Sequence, residues 1–279
     1  MRKITWKPGA FTPPRVDECV GFARRVGYRK IMRRFQDHFS DVAAAYAAHR
    51  PSYPAALVDF LAESAPRRDL AWDAGCGSGQ LSVLLAERFA RVIATDASPE
   101  QIAHAAPHPN VAYACAPAEA SGLPPGVADL AVAAQAAHWF GLPAYYAEVR
   151  RVGRAGALVA LVTYGLVRVD HAIDHLVDRF YVDVLGSYWL PERRHVEDGY
   201  RSLAFPFSEI VTPHFEMQAS WTLVDLIGYV ETWSAVWALE QAEGRARLEA
   251  FRRELAHLWG KEPAVREVRW PVALRVGRV

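Results

Sequence analysis

Leu70-Ala71-Trp72-Asp73-Ala74-Gly75-Cys76-Gly77-Ser78-Gly79-Gln80 is the stretch that decides the fold of this chain. A short apolar run ends in Asp73, glycines follow at alternate positions, and an amphipathic run begins at Leu81. That order reads as strand, tight turn and helix. Glycines at 75, 77 and 79 permit positive φ and remove the Cβ atoms that would hold a ligand off the backbone. The helix behind such a turn directs its free N–H groups at whatever lies over it. The turn is a cradle for a nucleotide-like ligand.

Strands and helices alternate outward from it. Gln80–Phe89 is a helix and Arg91–Asp96 a strand. Ser98 caps a helix over Pro99–Ala106, with Pro99 at its first position. Val111–Cys115, Asp129–Ala134 and Ala157–Thr163 are further strands, and Pro143–Val152 is a helix before the last of them. This spacing predicts a parallel sheet covered on both faces. Its ligand belongs beyond the C-terminal strand ends, near the switch point. Upstream, Asp37–His49 and Ala55–Ala65 read as helices separated by Pro51 and Pro54. After Thr163 the alternation stops. Val169–Leu190 carries one helical apolar stripe and reads as an inserted cap. Phe215–Leu223 returns to strand character, Val224–Glu243 and Arg245–Trp259 read as helices, and Val265–Val276 alternates like a final antiparallel pair or edge strand.

The chain has 279 residues, 52% hydrophobic and 23% charged, enough for one large domain or one domain with a cap. No apolar run of about 18 residues lacks charge, so no membrane span is expected. The N-terminus has no apolar h-region. Cys19, Cys76 and Cys115 have no metal-ligand spacing, which fits a reducing cytoplasm and predicts no metal site. A net charge of +1 gives no global field for nucleic acid. The charge is uneven, however: residues 1–34 carry a surplus of +8 and the remainder −7. Three readings of that arm stay open, a solvated tail, a nucleic-acid-binding arm and a targeting peptide.

The ligand follows from what flanks the glycines. Dinucleotide turns use G-x-G-x-x-G. Here the spacing is G-x-G-x-G, and Gln80 stands where the third glycine of that pattern would be. Asp73 places a carboxylate beside the turn, where it would repel a pyrophosphate and attract a cation. S-adenosylmethionine carries a sulfonium and an ammonium and no phosphate. Asp96, at the end of the second strand, is placed to accept from both ribose hydroxyls.

On these residues the chain resembles the class I S-adenosylmethionine-dependent methyltransferases. The resemblance is carried by Asp73 to Gln80, by Val92-Ile-Ala-Thr-Asp96-Ala-Ser98, by Asp129-Leu-Ala-Val with Gln135-Ala-Ala-His138-Trp139-Phe140, and by Arg151-Val-Gly-Arg-Ala-Gly156. It spans roughly residues 37–165. Tyr46…Arg50-Pro51-Ser52-Tyr53-Pro54, with Thr232-Trp233-Ser234-Ala235 and Trp270-Pro271, is similar to the small-molecule, type 11, trans-aconitate methyltransferase-like branch. The main departure is Trp72, where such strands hold an aliphatic residue.

The resemblance and the alternation together imply an α/β fold. This is a Rossmann-like, doubly wound, mostly parallel seven-stranded sheet with an antiparallel edge strand and an inserted helical cap. The expected divisions are a basic arm (1–34), a cofactor-binding core (35–165), a cap (166–214) and the rest of the sheet with its helices (215–279). By resemblance, Gly75, Gly77 and Gly79 line the methionine moiety, Asp73 faces its ammonium, and Asp96, with Ala97 beside it, binds the ribose. Ala118 and Glu119 meet the adenine edge, and Gln135 sits under the donor. Tyr46, Arg50 and Tyr53 close over it, Arg50 being suited to the carboxylate.

Methyl transfer is an in-line displacement that needs orientation and dryness and no metal. A carboxylate acceptor needs no base, whereas a hydroxyl or amine is helped by one. His138 is the candidate base, or else forms a pocket wall with Trp139 and Phe140. Tyr181, Trp189 and Trp233 are candidate pocket aromatics, and Arg168, Arg179, Arg193 and Arg194 candidate anchors for an acid. The expected activity is O-methylation of a small acidic metabolite or natural-product intermediate by a cytoplasmic monomer or homodimer. It would act without nucleic acid or membrane. The alternatives are N- or hydroxyl-O-methylation with His138 as base, an NAD-dependent oxidoreductase, and a non-catalytic cofactor-binding protein.

Overall fold

Residues of one parity along each central strand share one face, and those of the other parity share the opposite face. Ala71, Leu130, Val132, Leu158 and Ala160 fall in one buried cluster; Trp72, Ala74, Ala131, Ala133, Val159 and Leu161 fall in the other. Strands buried on both faces belong inside a covered sheet. The computed structural model, which describes residues 51–261 and 263–279, has that arrangement. The arm 1–34, the helix expected at 37–49, Tyr46 and Arg50 lie outside the described residues.

Helix α1 (Ala55–Ser64) leads to β1 (Leu70–Ala74), α2 (Gln80–Leu85), β2 (Arg91–Asp96), α3 (Pro99–Ala103) and β3 (Val111–Cys115). Strand β4 (Ala128–Ala134), a 3₁₀ turn (Ala137–Trp139), α4 (Leu142–Val152) and β5 (Gly153–Tyr164) complete the parallel part. Strands β1 to β5 pair in parallel in the order β3-β2-β1-β4-β5. The strand order reverses between β1 and β4, and that crevice is the switch point. Strand β8 (Arg266–Arg278) runs antiparallel beside β5. Its other side pairs with β6 (Ser208–Glu209) and β7 (Phe215–Trp221). Among the described residues the sheet therefore has eight strands, the expected seven and a two-residue addition. The final strand does not form its edge, because β6 and β7 cover it.

A second buried acid fixes the far end of β1. Asp129, fully buried, accepts from the N–H groups of Asp69 and Leu70 at 2.9 and 3.0 Å and pairs with Arg154 at 2.9 Å. It anchors the strand at the end opposite the glycine turn.

The long cap helix is not continuous. Helix α5 covers His171–Arg179, with Asp170 as N-cap. It widens into a π-turn over Phe180–Val184 and ends in a 3₁₀ turn over Gly186–Tyr188. The widening coincides with Phe180 stacked on Phe251, ring centroids 4.2 Å apart. Helix α6 (Arg193–Glu197) follows. The helix expected at 224–243 is two, α7 (Leu223–Glu231) and α8 (Ser234–Glu243). Between them the Thr232 hydroxyl donates to the Tyr229 carbonyl at 2.6 Å, and Trp233 is extended. That side-chain bond offers the backbone an exit from the helix, and Trp233 turns into an aromatic cluster. Helix α9 (Ala246–Trp259) packs against α5 and α7.

Candidate active site

The glycine turn closes over the C-terminal ends of β1 and β2. The N–H groups of Gly75 and Cys76 donate to the Thr95 carbonyl at 2.7 and 3.0 Å. That of Gly77 donates to Asp96 Oδ2 at 2.9 Å. Gly75, Gly77 and Gly79 have φ of +69°, +55° and +84°. Above the turn opens a cavity of about 430 Å³, a size that suits a small ligand or cofactor.

Asp73 lies on its floor. Ser82 Oγ donates to Oδ2 at 2.6 Å, while Oδ1 is buried and has no hydrogen-bond partner. A buried carboxylate oxygen left unpaired is costly. Burial, and more weakly the nearby Asp96, raise the Asp73 carboxyl from 3.8 to about 7, against the Ser82 bond. The site supplies a half-paired anion and takes a cation. Asp96 accepts the Gly77 N–H on Oδ2 and the Ser98 N–H on Oδ1 at 2.8 Å, with the Ala97 N–H also turned toward the carboxylate. Acceptor capacity remains on the carboxylate for a ribose hydroxyl. Burial raises this carboxyl as well. The Cys76 thiol is pushed up by burial and by both aspartates, so it is no nucleophile.

Tyr53, Asp73, Gly75, Gly77, Asp96, Ala97, Ala118, Gln135, His138 and Trp139 all line this cavity. Two of the expected cofactor residues, Gly79 and Glu119, do not line it. Gly79 faces Tyr113, not the cavity; a Cβ there would lie 2.2 Å from the Tyr113 hydroxyl and 2.8 Å from its ring. Its missing side chain makes room for Tyr113, whose hydroxyl donates to the Ala106 carbonyl at 2.8 Å. Gly79→Ala is expected to lower stability by about 2–4 kcal/mol, from left-handed strain and overpacking together. Urea unfolding measures it. Glu119 is engaged by the N–H of Gly141, the N-cap of α4, at 2.6 Å. It serves the helix start.

The cap aromatics also pack away from the cavity. Tyr181, Trp189 and Trp233 form one cluster, centroids 4.7–5.9 Å apart. Arg193 lies over Tyr181 and Trp189, and its Nε donates to the Tyr181 hydroxyl at 2.8 Å. Arg168 pairs with Asp178 and Arg179 with Glu254. None of the four cap arginines lines the cavity. Glu192, which the sequence reading did not single out, does, as do Tyr164 and Phe140. Glu192 arrives from the cap turn before α6, with no local motif to mark it.

His138 lies in the 3₁₀ turn after β4, with Nδ1 2.8 Å from the Tyr200 hydroxyl. Burial, then Arg193 and His195, lower its pKa to about 3. It is neutral at physiological pH.

A family model described as a methyltransferase domain matches residues 72–161. A Dictyostelium discoideum protein provisionally named as a methyltransferase is 34% identical over 226 residues, covering 80% of this chain and 86% of that one. An uncharacterized methyltransferase of Mycobacterium tuberculosis is 37% identical over 125 residues, 44% of this chain and 51% of that one. A solved structure from Anaeromyxobacter dehalogenans, provisionally named as a type II methyltransferase, is 50% identical. It covers 82% of this chain and 97% of its own, with a TM-score of 0.79.

Proposed function

The chain belongs to the class I S-adenosylmethionine-dependent methyltransferases of the type 11 kind, and from that membership we propose that it methylates a small molecule on an oxygen that is already nucleophilic at neutral pH. The observation that carries the donor half is the unpaired Oδ1 of Asp73 beside a turn with glycine at every second position. The residues present fit S-adenosylmethionine: an orphaned carboxylate oxygen for its ammonium, remaining acceptor capacity on Asp96 for its ribose, and, among the described residues, no Lys or Arg lining the cavity to meet a phosphate. When bound, S-adenosylmethionine supplies a methyl group on positively charged sulfur.

The protein's part is to hold and to exclude. Gly77 allows close backbone approach to the methionine moiety, while Gly75 lines the cavity with its backbone and leaves its Cβ position to Ala136 and Phe140. Ala97 and Ala118 leave space for a flat base, and Gln135 lies at the end of β4 beneath the donor. Tyr46 and Arg50, outside the described residues, are proposed to complete the closure that Tyr53 begins. Tyr53 meets Tyr164 edge-on, centroids 6.3 Å apart, and walls off water. Fixing nucleophile, methyl and sulfur in line can supply about 7–11 kcal/mol in favourable cases.

The acceptor is proposed to lie against His138, Trp139 and Tyr164. A small carboxylic acid, methylated to its ester, needs no base, and the low pKa of His138 supports that over a base-assisted amine or phenol. Among the described residues no Lys or Arg lines the cavity. The test has two stages. Calorimetry with S-adenosylmethionine and with NAD is expected to give binding of the first alone; the reverse would return the chain to the oxidoreductases. Labelled methyl is then offered to carboxylic acids, phenols and amines. Label appearing in amines or phenols and never in esters would overturn the oxygen-acid reading.

A further inference from the structure

Among the described residues, Gln135 and Tyr200 alone combine a side chain with a left-handed backbone, φ +53° and +64°. Such strain persists where the surroundings over-determine it, and it clusters at working sites. The two residues are joined through side chains. Thr163 Oγ1 donates to Gln135 Oε1 at 3.1 Å, and the fully buried Tyr200 hydroxyl faces Thr163 and lies 2.8 Å from His138 Nδ1. Gly199 is also left-handed, so the chain doubles back after α6 and drives the phenol under the 3₁₀ turn. Arg275 of β8 holds that reversal by donating to the carbonyls of Tyr200 and Leu203 at 2.9 and 2.7 Å.

The proton position follows from the chemistry of the two groups. Thr163 commits its own proton to Gln135. Between the phenol oxygen and Nδ1, 2.8 Å apart, the phenol is the better donor and a neutral imidazole nitrogen the better acceptor. The phenol proton is therefore assigned to Nδ1, and an Nδ1 that accepts leaves the ring proton on Nε2.

We propose that Tyr200 is a positioning residue that fixes His138 as the Nε2–H tautomer, so that the cavity wall offers the methyl acceptor a neutral N–H donor. Arg193 and His195 face the ring from α6, the Trp139 ring lies 4.6 Å away, and Glu192 contributes a carboxylate to the same cavity. Burial with the two basic neighbours keeps the ring unprotonated. An N–H in this place recognises a carboxylate or carbonyl oxygen and discriminates against an ammonium. It cannot take the acceptor's proton, because its remaining nitrogen already holds one. The partner's identity rests on the methyltransferase reading; the tautomer does not.

The test is nitrogen NMR of the full chain with ¹⁵N-labelled histidine, the His138 signals being identified by their loss in His138→Gln. The expected result is a protonated Nε2, an unprotonated Nδ1 and no titration between about pH 5 and pH 8. A proton on Nδ1, or imidazolium in that range, would overturn the proposal. In the wild type the buried Tyr200 hydroxyl proton is expected to show scalar coupling to His138 Nδ1, which needs no variant to fold. In Tyr200→Phe the ring is expected to exchange between tautomers; a single unchanged Nε2–H would remove Tyr200 from the role. Calorimetry with S-adenosylhomocysteine on the same samples separates the two readings. Failure of the wild type to bind would sink the methyltransferase reading and leave the tautomer result standing. Once an acceptor is found, Tyr200→Phe is expected to raise KM about threefold to tenfold without a new limb in the pH profile of kcat.

Discussion

Asp73→Asn is expected to weaken S-adenosylmethionine binding by about a hundredfold or more, the usual consequence of removing one partner from a buried charge pair. The wild-type affinity is itself expected to depend on pH. The ligand-free carboxyl holds its proton to about pH 7, and a cation binds the ionised form. Affinity should therefore fall about tenfold for each pH unit below 7. Binding below that pH should release a proton, measurable by calorimetry in buffers of different ionisation heat. Asp73→Asn should abolish both effects. Asp96, also raised, remains as the internal control.

The same residue has the opposite effect on the empty protein. Folded Asp73 stays protonated to about pH 7, whereas an aspartate in the unfolded chain ionises near 3.8. Between those values the folded state binds more protons, so stability decreases as pH rises through the window. Relieved of that charge, Asp73→Asn without ligand should be more stable than the wild type above pH 7. The gain should be of order 1–2 kcal/mol after the burial of the amide is deducted. An unchanged affinity together with unchanged stability would take Asp73 out of the site.

Trp72→Ala carries the second large effect, a loss of about 3–5 kcal/mol of folding stability. That is a substantial part of the 5–15 kcal/mol of a typical domain. Trp72 is fully buried in the middle of β1, packs on Tyr145 with centroids 5.8 Å apart, and donates from Nε1 to Thr95 Oγ1 at 3.0 Å. Thr95 in turn holds the glycine turn through its carbonyl. Denaturant unfolding should show the shift in midpoint, and S-adenosylmethionine affinity should fall with it. Trp72→Leu should cost less in packing but still leave the Thr95 hydroxyl unpaired. The departure of this strand from the aliphatic pattern is thus a bridge between core and site.

Local chemistry was readable in the sequence and long-range chemistry was not. Asp73, Gly75, Gly77 and Asp96 lie within a single strand–turn–helix–strand unit, and their spacing alone brings them to one strand end. Gly79 shares their pattern, but its reason is Tyr113 of β3, a neighbour that no spacing rule supplies. Glu119 follows the third strand as expected and is then drawn to the start of α4. The aromatic stripe at 173–189 read as one helix. Periodicity cannot register the packing of Phe180 on Phe251 or the turn of Trp233 between α7 and α8. Glu192 and Tyr200 reach the site from the cap, carried by folding rather than by motif. The left-handed Gln135 has no glycine to advertise it.

Strand β8 sets an order on how this molecule comes into being. It pairs with β5 on one side and with β6 and β7 on the other, and it is synthesised after every other strand among the described residues. Strand β5, buried along its final eight residues, is made roughly a hundred residues earlier. At about 5–20 residues per second, a strongly apolar strand waits several seconds with an open edge, the most adhesive surface a nascent chain can present. Arg275, which pins the Tyr200 reversal, arrives with the same strand. The donor cradle can therefore form before β8 is made, but the wall that meets the acceptor is finished only once β8 has joined the sheet.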